Sequence, residues 1–221
     1  MIVLQKIAKR VRFFATFVAG MAIGLGSSWA AEAYDLLFKT GTLDNLPRSQ
    51  QLTYDRQVAL PSNQELADHS TGTVRLSFGE DDMADLRFEQ GEKYRKIGAF
   101  PATVGNPMIM YFVETVIRDM AGTAGGSPFY IRNRVKASLI EKTPINDTEI
   151  TVDNEMVPAK TVTLYPFKND PNRERMKGFE DLALTVTMSE AVPGWYYALE
   201  ADTGNSVYTS SIVLSENGGT E

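Results

Sequence analysis

Few side chains in this sequence are of a kind that performs covalent chemistry. The 221 residues include no cysteine and a single histidine, His69, which sits in the polar stretch ADHST. A hydrolytic triad needs an imidazole held by a carboxylate beside a nucleophile, and structural zinc of the Cys/His kind needs ligands this chain lacks. Acid–base work would therefore fall to paired carboxylates. Glu114 and Asp119 are five positions apart, so a helix turns them away from each other. Arg118, one turn after Glu114, favours a surface ion pair instead. Glu80, Asp81, Asp82 and Asp85 crowd one turn, but their spacing fits no EF-hand loop and the glycine precedes the acids, so a solvated acidic turn is expected. Asp170, Asn172 and Glu174 also miss that pattern and are expected to be exposed. No side chain stands out as a catalytic residue or a metal ligand, and no cofactor is expected.

Binding residues are easier to nominate. Gly122 to Ser127 (GTAGGS) could cradle an anion on backbone amides at a helix start. It lacks the P-loop lysine, and its flanks read as helix and helix, so a helix break is the simpler expectation. Arg132, Arg134 and Lys136 follow. On a helix Arg132 and Lys136 share a side while Arg134 points elsewhere, which predicts a solvated face with one arginine turned in to a carboxylate. The functional alternative is docking to an anionic headgroup or to a partner protein. Phe129 and Tyr130 beside them fit either core packing or the edge of an apolar cleft. The candidate ligand- or partner-binding set is Arg118, Ser127, Phe129, Tyr130, Arg132, Arg134 and Lys136.

These residues lie on a segment, Gly105 to Leu139, that reads as a helical hairpin. Asn106 is a cap whose side chain can accept from a first-turn amide, and Pro107 suits the first helical position. Ile109, Phe112, Val113, Val116, Ile117 and Met120 recur at helical spacing, with Glu114, Thr115, Arg118 and Asp119 mostly opposite. Gly122 and Gly125-Gly126 end this helix; Ser127-Pro128 starts another, with Ile131, Val135 and Leu139 as its apolar stripe. Strand patterns flank the hairpin. Before it come Gln51 to Val58, with Leu52, Tyr54, Arg56 and Val58 on one side, then Thr71 to Phe78, Leu86 to Glu89 and Lys93 to Phe100. After it come Thr148 to Val152, Lys160 to Phe167, Leu182 to Met188, Trp195 to Glu200 and Val207 to Leu214. Trp195, Tyr196 and Tyr197 are expected to alternate, with Tyr196 facing away from its neighbours. Ala33 to Pro47 fits a short helix or a strand, Ala59 to Ser70 reads as a connection, and Lys168 to Gly178 as a polar loop or one helical turn.

The first thirty residues read as a cleaved signal peptide. Lys6, Lys9, Arg10 and Arg12 precede an apolar run, Phe13 to Leu25, and small residues allow cleavage after Ala30 or Ala33. Removing residues 1–30 takes four basic residues from a chain of net charge −6, leaving 18 basic against 28 acidic residues, or −10. Nucleic acid is an unsuitable partner at that charge. The expected organisation is thus a signal peptide (1–30), one domain (31–215) and a frayed tail (216–221), with a periplasmic address and no stable membrane anchor after processing.

Strands, two helices, then strands make an α+β domain: a curved antiparallel sheet, or half-open barrel, with a two-helix hairpin inserted between early and late strands. Over roughly Tyr34 to Leu214 this layout resembles the lipoprotein-carrier (LolA-like) superfamily of bacterial periplasm, in element order and export. The resemblance implies a concave apolar surface for a lipid-like ligand. The function expected is that of an exported, non-catalytic binder of an apolar or lipid-like ligand or of an envelope partner. The alternatives are an accessory subunit docking through its hairpin, or a carboxylate-based hydrolase.

Overall fold

The computed structural model describes residues 26–215; residues 1–25 of the expected signal segment and the expected tail, 216–221, lie outside the described residues. In chain order come α1 (Gly26–Leu37), β1 (Leu52–Ala59), α2 (Gln64–Ser70), β2 (Gly72–Phe78), β3 (Met83–Gln90) and β4 (Lys93–Pro101). The helical hairpin, α3 (Met108–Ala124) and α4 (Pro128–Ser138), follows. The second half is β5 (Ile145–Val152), β6 (Glu155–Leu164), β7 (Ala183–Met188), β8 (Tyr196–Asp202) and β9 (Thr209–Leu214). None of the described helices is long and apolar enough to cross a membrane.

The strands form one antiparallel sheet, curved and unclosed, in the order β4-β3-β2-β1-β9-β8-β7-β6-β5. It is two meanders joined down the middle: β1 to β4 step outward, β5 to β9 step inward, and β9 pairs with β1 from Tyr54↔Leu214 to Ala59↔Thr209. The two edges, β4 and β5, are therefore consecutive in sequence. Eight inter-strand gaps of about 4.8 Å separate them along the sheet, and the segment that connects them is the helical hairpin. It must lie across the sheet, and its apolar stripe is what lets it do so.

The expected fold class is thus observed. Alternation along β1 buries Leu52, Tyr54, Arg56 and Val58, and Val74, Leu76, Ala84, Leu86 and Ile212 extend the same core. From α3, Ile109, Phe112, Val116, Ile117 and Met120 pack onto it. The helix starts one residue later than expected, with Pro107 as its N-cap. Asn106, just before it, still accepts from the first-turn amide, Met108 N to Oδ1 at 3.0 Å. Its Nδ2 donates to Tyr54 Oη (3.0 Å) and to Gly194 O (2.8 Å), which ties the hairpin to β1 and to the turn before β8.

Several local expectations change. Gly122 does not end α3; it is exposed, with open space where a Cβ would stand, and the helix runs to Ala124. Gly125 and Gly126, at φ 80° and 93°, supply the left-handed backbone that breaks it. Thr115 and Asp119 are buried, because α3 has the sheet beneath and α4 beside it. Residues 59–70 contain α2 as well as a turn, with Asn63 Oδ1 capping Leu66 N at 3.0 Å. Trp195 does not alternate: at φ 81° it joins Tyr196 in the main core. A bulge at Tyr197 sends that ring to a small cluster with Ile150 and Val192.

Candidate functional site

Four of the seven nominated hairpin residues fall into two partnered groups. Arg132 donates from Nε and Nη2 to the two carboxylate oxygens of Glu114, each at 2.7 Å. This two-pronged bond across the hairpin displaces the Glu114–Arg118 pair expected from helix spacing. It also holds the Glu114 carboxyl below its usual range, helped by the nearby charges of Arg118 and Lys136. Phe129 is 75% exposed, with the Arg132 guanidinium 5.7 Å from its ring centroid.

Tyr130 and Arg134 turn the other way. The Tyr130 hydroxyl bonds the Asp170 carboxylate at 2.8 Å, and Arg134 Nε lies 2.7 Å from the same group. Asp170, expected to be exposed, is buried and also accepts from Asn172 N at 2.8 Å. It is the post to which α4 ties the polar loop between β6 and β7. Two of the hairpin's four cations, Arg132 and Arg134, thus fasten the fold. Ser127, Arg118 and Lys136 remain exposed.

Beneath α3 lies a polar group that local patterning did not foresee. Arg56 of β1 is 3% exposed and donates to Tyr111 Oη at 3.0 Å and to Asp119 Oδ2 at 3.4 Å. Tyr208 Oη donates to the same Asp119 oxygen at 2.9 Å. Burial raises the Asp119 carboxyl above its usual range in spite of Arg56, and raises the Tyr208 phenol well above its own. Gly72, the β2 partner of Arg56, has no side chain where the Phe88 ring passes, and that ring lies 5.9 Å from the guanidinium. Closed off from solvent, this group fastens sheet to helix.

The open chemistry is in a groove of about 900 Å³ under α1, at the upper end of the size range of small-molecule sites. Its apolar walls are Leu36, Pro158, Ala159, Met188, Ala191 and Trp195. Glu32, Asp35, Asp147 and Glu190 stand against Lys39 and Lys160 around it, with Lys39–Glu190 and Lys160–Asp147 in ion pairs. Trp195 Nε1 donates to Leu36 O (3.0 Å) and Tyr196 Oη to Leu37 O (2.6 Å). These bonds satisfy carbonyls that a helix end leaves free, and they hold α1 above the sheet as the roof of the groove. Lys39 sits 4.2 Å from the Trp195 ring centroid. The signal was present in the Trp195-Tyr196 pair, but α1 and β6 come from distant parts of the chain. Among the described residues, no cluster of three or more His, Cys, Asp or Glu side chains could hold a metal ion.

No protein-family model matches the chain, and no curated protein matches it. Among solved structures, the crystal structure of the Mycobacterium tuberculosis lipoprotein LppX overlaps 86% of this chain and 98% of its own, at 7% identity and a TM-score of 0.35. That is a weak likeness in layout, and the functional reading rests on this chain's own geometry.

Proposed function

We propose that this chain is an exported, non-catalytic envelope protein that holds an apolar or lipid-like ligand in the groove beneath α1. The observation that carries the reading is the groove itself: about 900 Å³, apolar-walled and open to solvent. Its ionic rim, four acids against two lysines, disfavours an anionic ligand and suits a neutral or zwitterionic one. Export is the part drawn from sequence. Both expected cleavage points fall within α1, and Ala33 is buried in the core; processing after Ala30 keeps that contact and processing after Ala33 loses it.

Trp195 provides the test. The chain has two tryptophans, and the other, Trp29, lies in the segment removed by cleavage. The chain is expressed from its full reading frame, purified as the cell processes it, weighed by native mass spectrometry and extracted for lipid. Single-chain zwitterionic lipid is then titrated while Trp195 emission is followed. A co-purifying lipid, or a saturable shift in emission that Ala191→Phe abolishes by filling the groove, is expected. An empty protein whose emission ignores every acyl chain would sink the reading. A second reading, docking of a partner on the hairpin, draws on the exposed Phe129 and Ile140, at 75% and 74%. Envelope pull-downs with a Phe129→Ser variant test it.

A further inference from the structure

We infer that a second cleft, between β4 and α3, binds a single-chain anionic amphiphile, its headgroup between Arg95 and Arg118 and its tail against Ile97, Phe100 and Met110. The cleft is about 420 Å³ and lies at the β4 edge of the sheet, apart from the groove under α1. Its charge has the opposite sign to the groove and to the chain. Arg95, Lys96 and Arg118 line it against one acid, Glu114, in a protein of net charge −6. That acid is already occupied by the two Arg132 bonds.

Two of the three cations are available. Among the described residues neither Arg95 nor Arg118 makes a hydrogen bond or ion pair: Arg95 rests 5.7 Å from the Phe88 ring centroid, and Arg118 acts on Glu114 and Asp119 only through space. Lys96 pairs with Asp85 at 3.2 Å. Basic residues on an edge strand often serve only to discourage pairing with another sheet, and the bulge at Ile97 does the same. Edge protection accounts for Lys93 and Lys96. It does not account for Arg118, which comes from the helix opposite, nor for Met110, left 51% exposed on the same wall. Cations facing each other across an apolar floor match an anion that carries a hydrocarbon tail.

Isothermal titration of the processed chain tests this with dodecyl phosphate, dodecyl maltoside, inorganic phosphate and phosphatidylglycerol vesicles. Dodecyl phosphate is expected to bind at least about tenfold more tightly than the maltoside, with an affinity that falls as salt rises. Arg95→Gln and Arg118→Gln, both exposed positions, should each weaken it by about tenfold while leaving the thermal melt in place. Ala191→Phe should leave it unchanged. If a variant does not fold, the salt titration on the unaltered protein decides. Equal binding of phosphate ester and maltoside overturns the inference, as does loss in Ala191→Phe without loss in the arginine variants, which puts the ligand under α1. Equal affinity for inorganic phosphate removes the role of the tail, and binding to vesicles alone makes the cleft a membrane contact; either result also overturns it.

Discussion

Removing the Asp119 carboxylate should be among the most damaging single changes this protein can suffer, while removing the whole polar group around it should be nearly harmless. At 3.4 Å and an effective dielectric of about 20, the Arg56–Asp119 attraction is worth roughly 5 kcal/mol. Desolvation nonetheless outweighs it, since the Asp119 carboxyl is raised and not lowered. The pair therefore adds little net stability, yet neither member can be spared alone. Asp119→Ala leaves a guanidinium 3% exposed and uncompensated, a loss of about 3–5 kcal/mol. With a urea m-value near 2 kcal/mol/M, the midpoint should drop by about 2 M. Arg56→Met with Asp119→Leu removes both charges but orphans the Tyr111 and Tyr208 hydroxyls, so a deficit of about 2 kcal/mol remains. Adding Tyr111→Phe and Tyr208→Phe should return the protein to within about 1 kcal/mol of its starting stability. Urea melts followed by circular dichroism read all three. A loss below about 1 kcal/mol in Asp119→Ala, or a quadruple variant as unstable as the single one, would refute the reasoning.

Other consequences can be checked with the same melts. Burial raises the phenols of Tyr54, Tyr196 and Tyr208 above their ordinary value of 10; the folded chain keeps these protons where the unfolded chain releases them. Their contribution is therefore whole below about pH 10 and is lost above it, at roughly 4 kcal/mol per pH unit for the three together; a flat profile between pH 10 and 11 would contradict this. Asn106→Ala strands Tyr54 Oη, Gly194 O and Met108 N and should cost about 3 kcal/mol; a midpoint shift near zero would mean that water replaces the amide. Gly194→Ala puts a Cβ 2.5 Å from Leu52 Cδ1 at φ 76°, and a loss of about 2 kcal/mol or more is expected.

What the sequence made legible follows from the range of each cause. The alternation of β1 is local, and it placed Leu52, Tyr54 and Val58 inward together with Arg56, a charge at a core position that already announces a partner. The partner, Asp119, lies 63 positions away, and no local rule points to it. Helix spacing was right about the six apolar residues of α3 but assigned one buried side to a helix that has two. Spacing also favoured Glu114–Arg118, a weak surface pair, over the two-pronged Arg132 bond that only the folded hairpin brings within reach. Asn63, read as a loop residue, has the same chemistry as a helix cap and proved to be one. The groove was invisible for a different reason: its walls come from α1, from β6 and from the turn before β8, and apolar residues there look like ordinary core until the sheet is laid out.

The junction of β1 with β9 carries a consequence for how the protein is made. Each meander is built from neighbouring hairpins that can form as the chain emerges, whereas the central seam joins residue 54 to residue 214. Closing so long a loop is the slow, entropy-limited event in such a topology, so the central part of the sheet should be the last to assemble. Until then β1 offers an unpaired, alternating apolar edge, which is where a newly made chain would aggregate. Cutting at Gly125–Gly126, an exposed break between the two helices, would leave one meander on each piece. The two pieces should then reassociate through that seam as complementing fragments, turning an intramolecular step into a concentration-dependent one that can be timed.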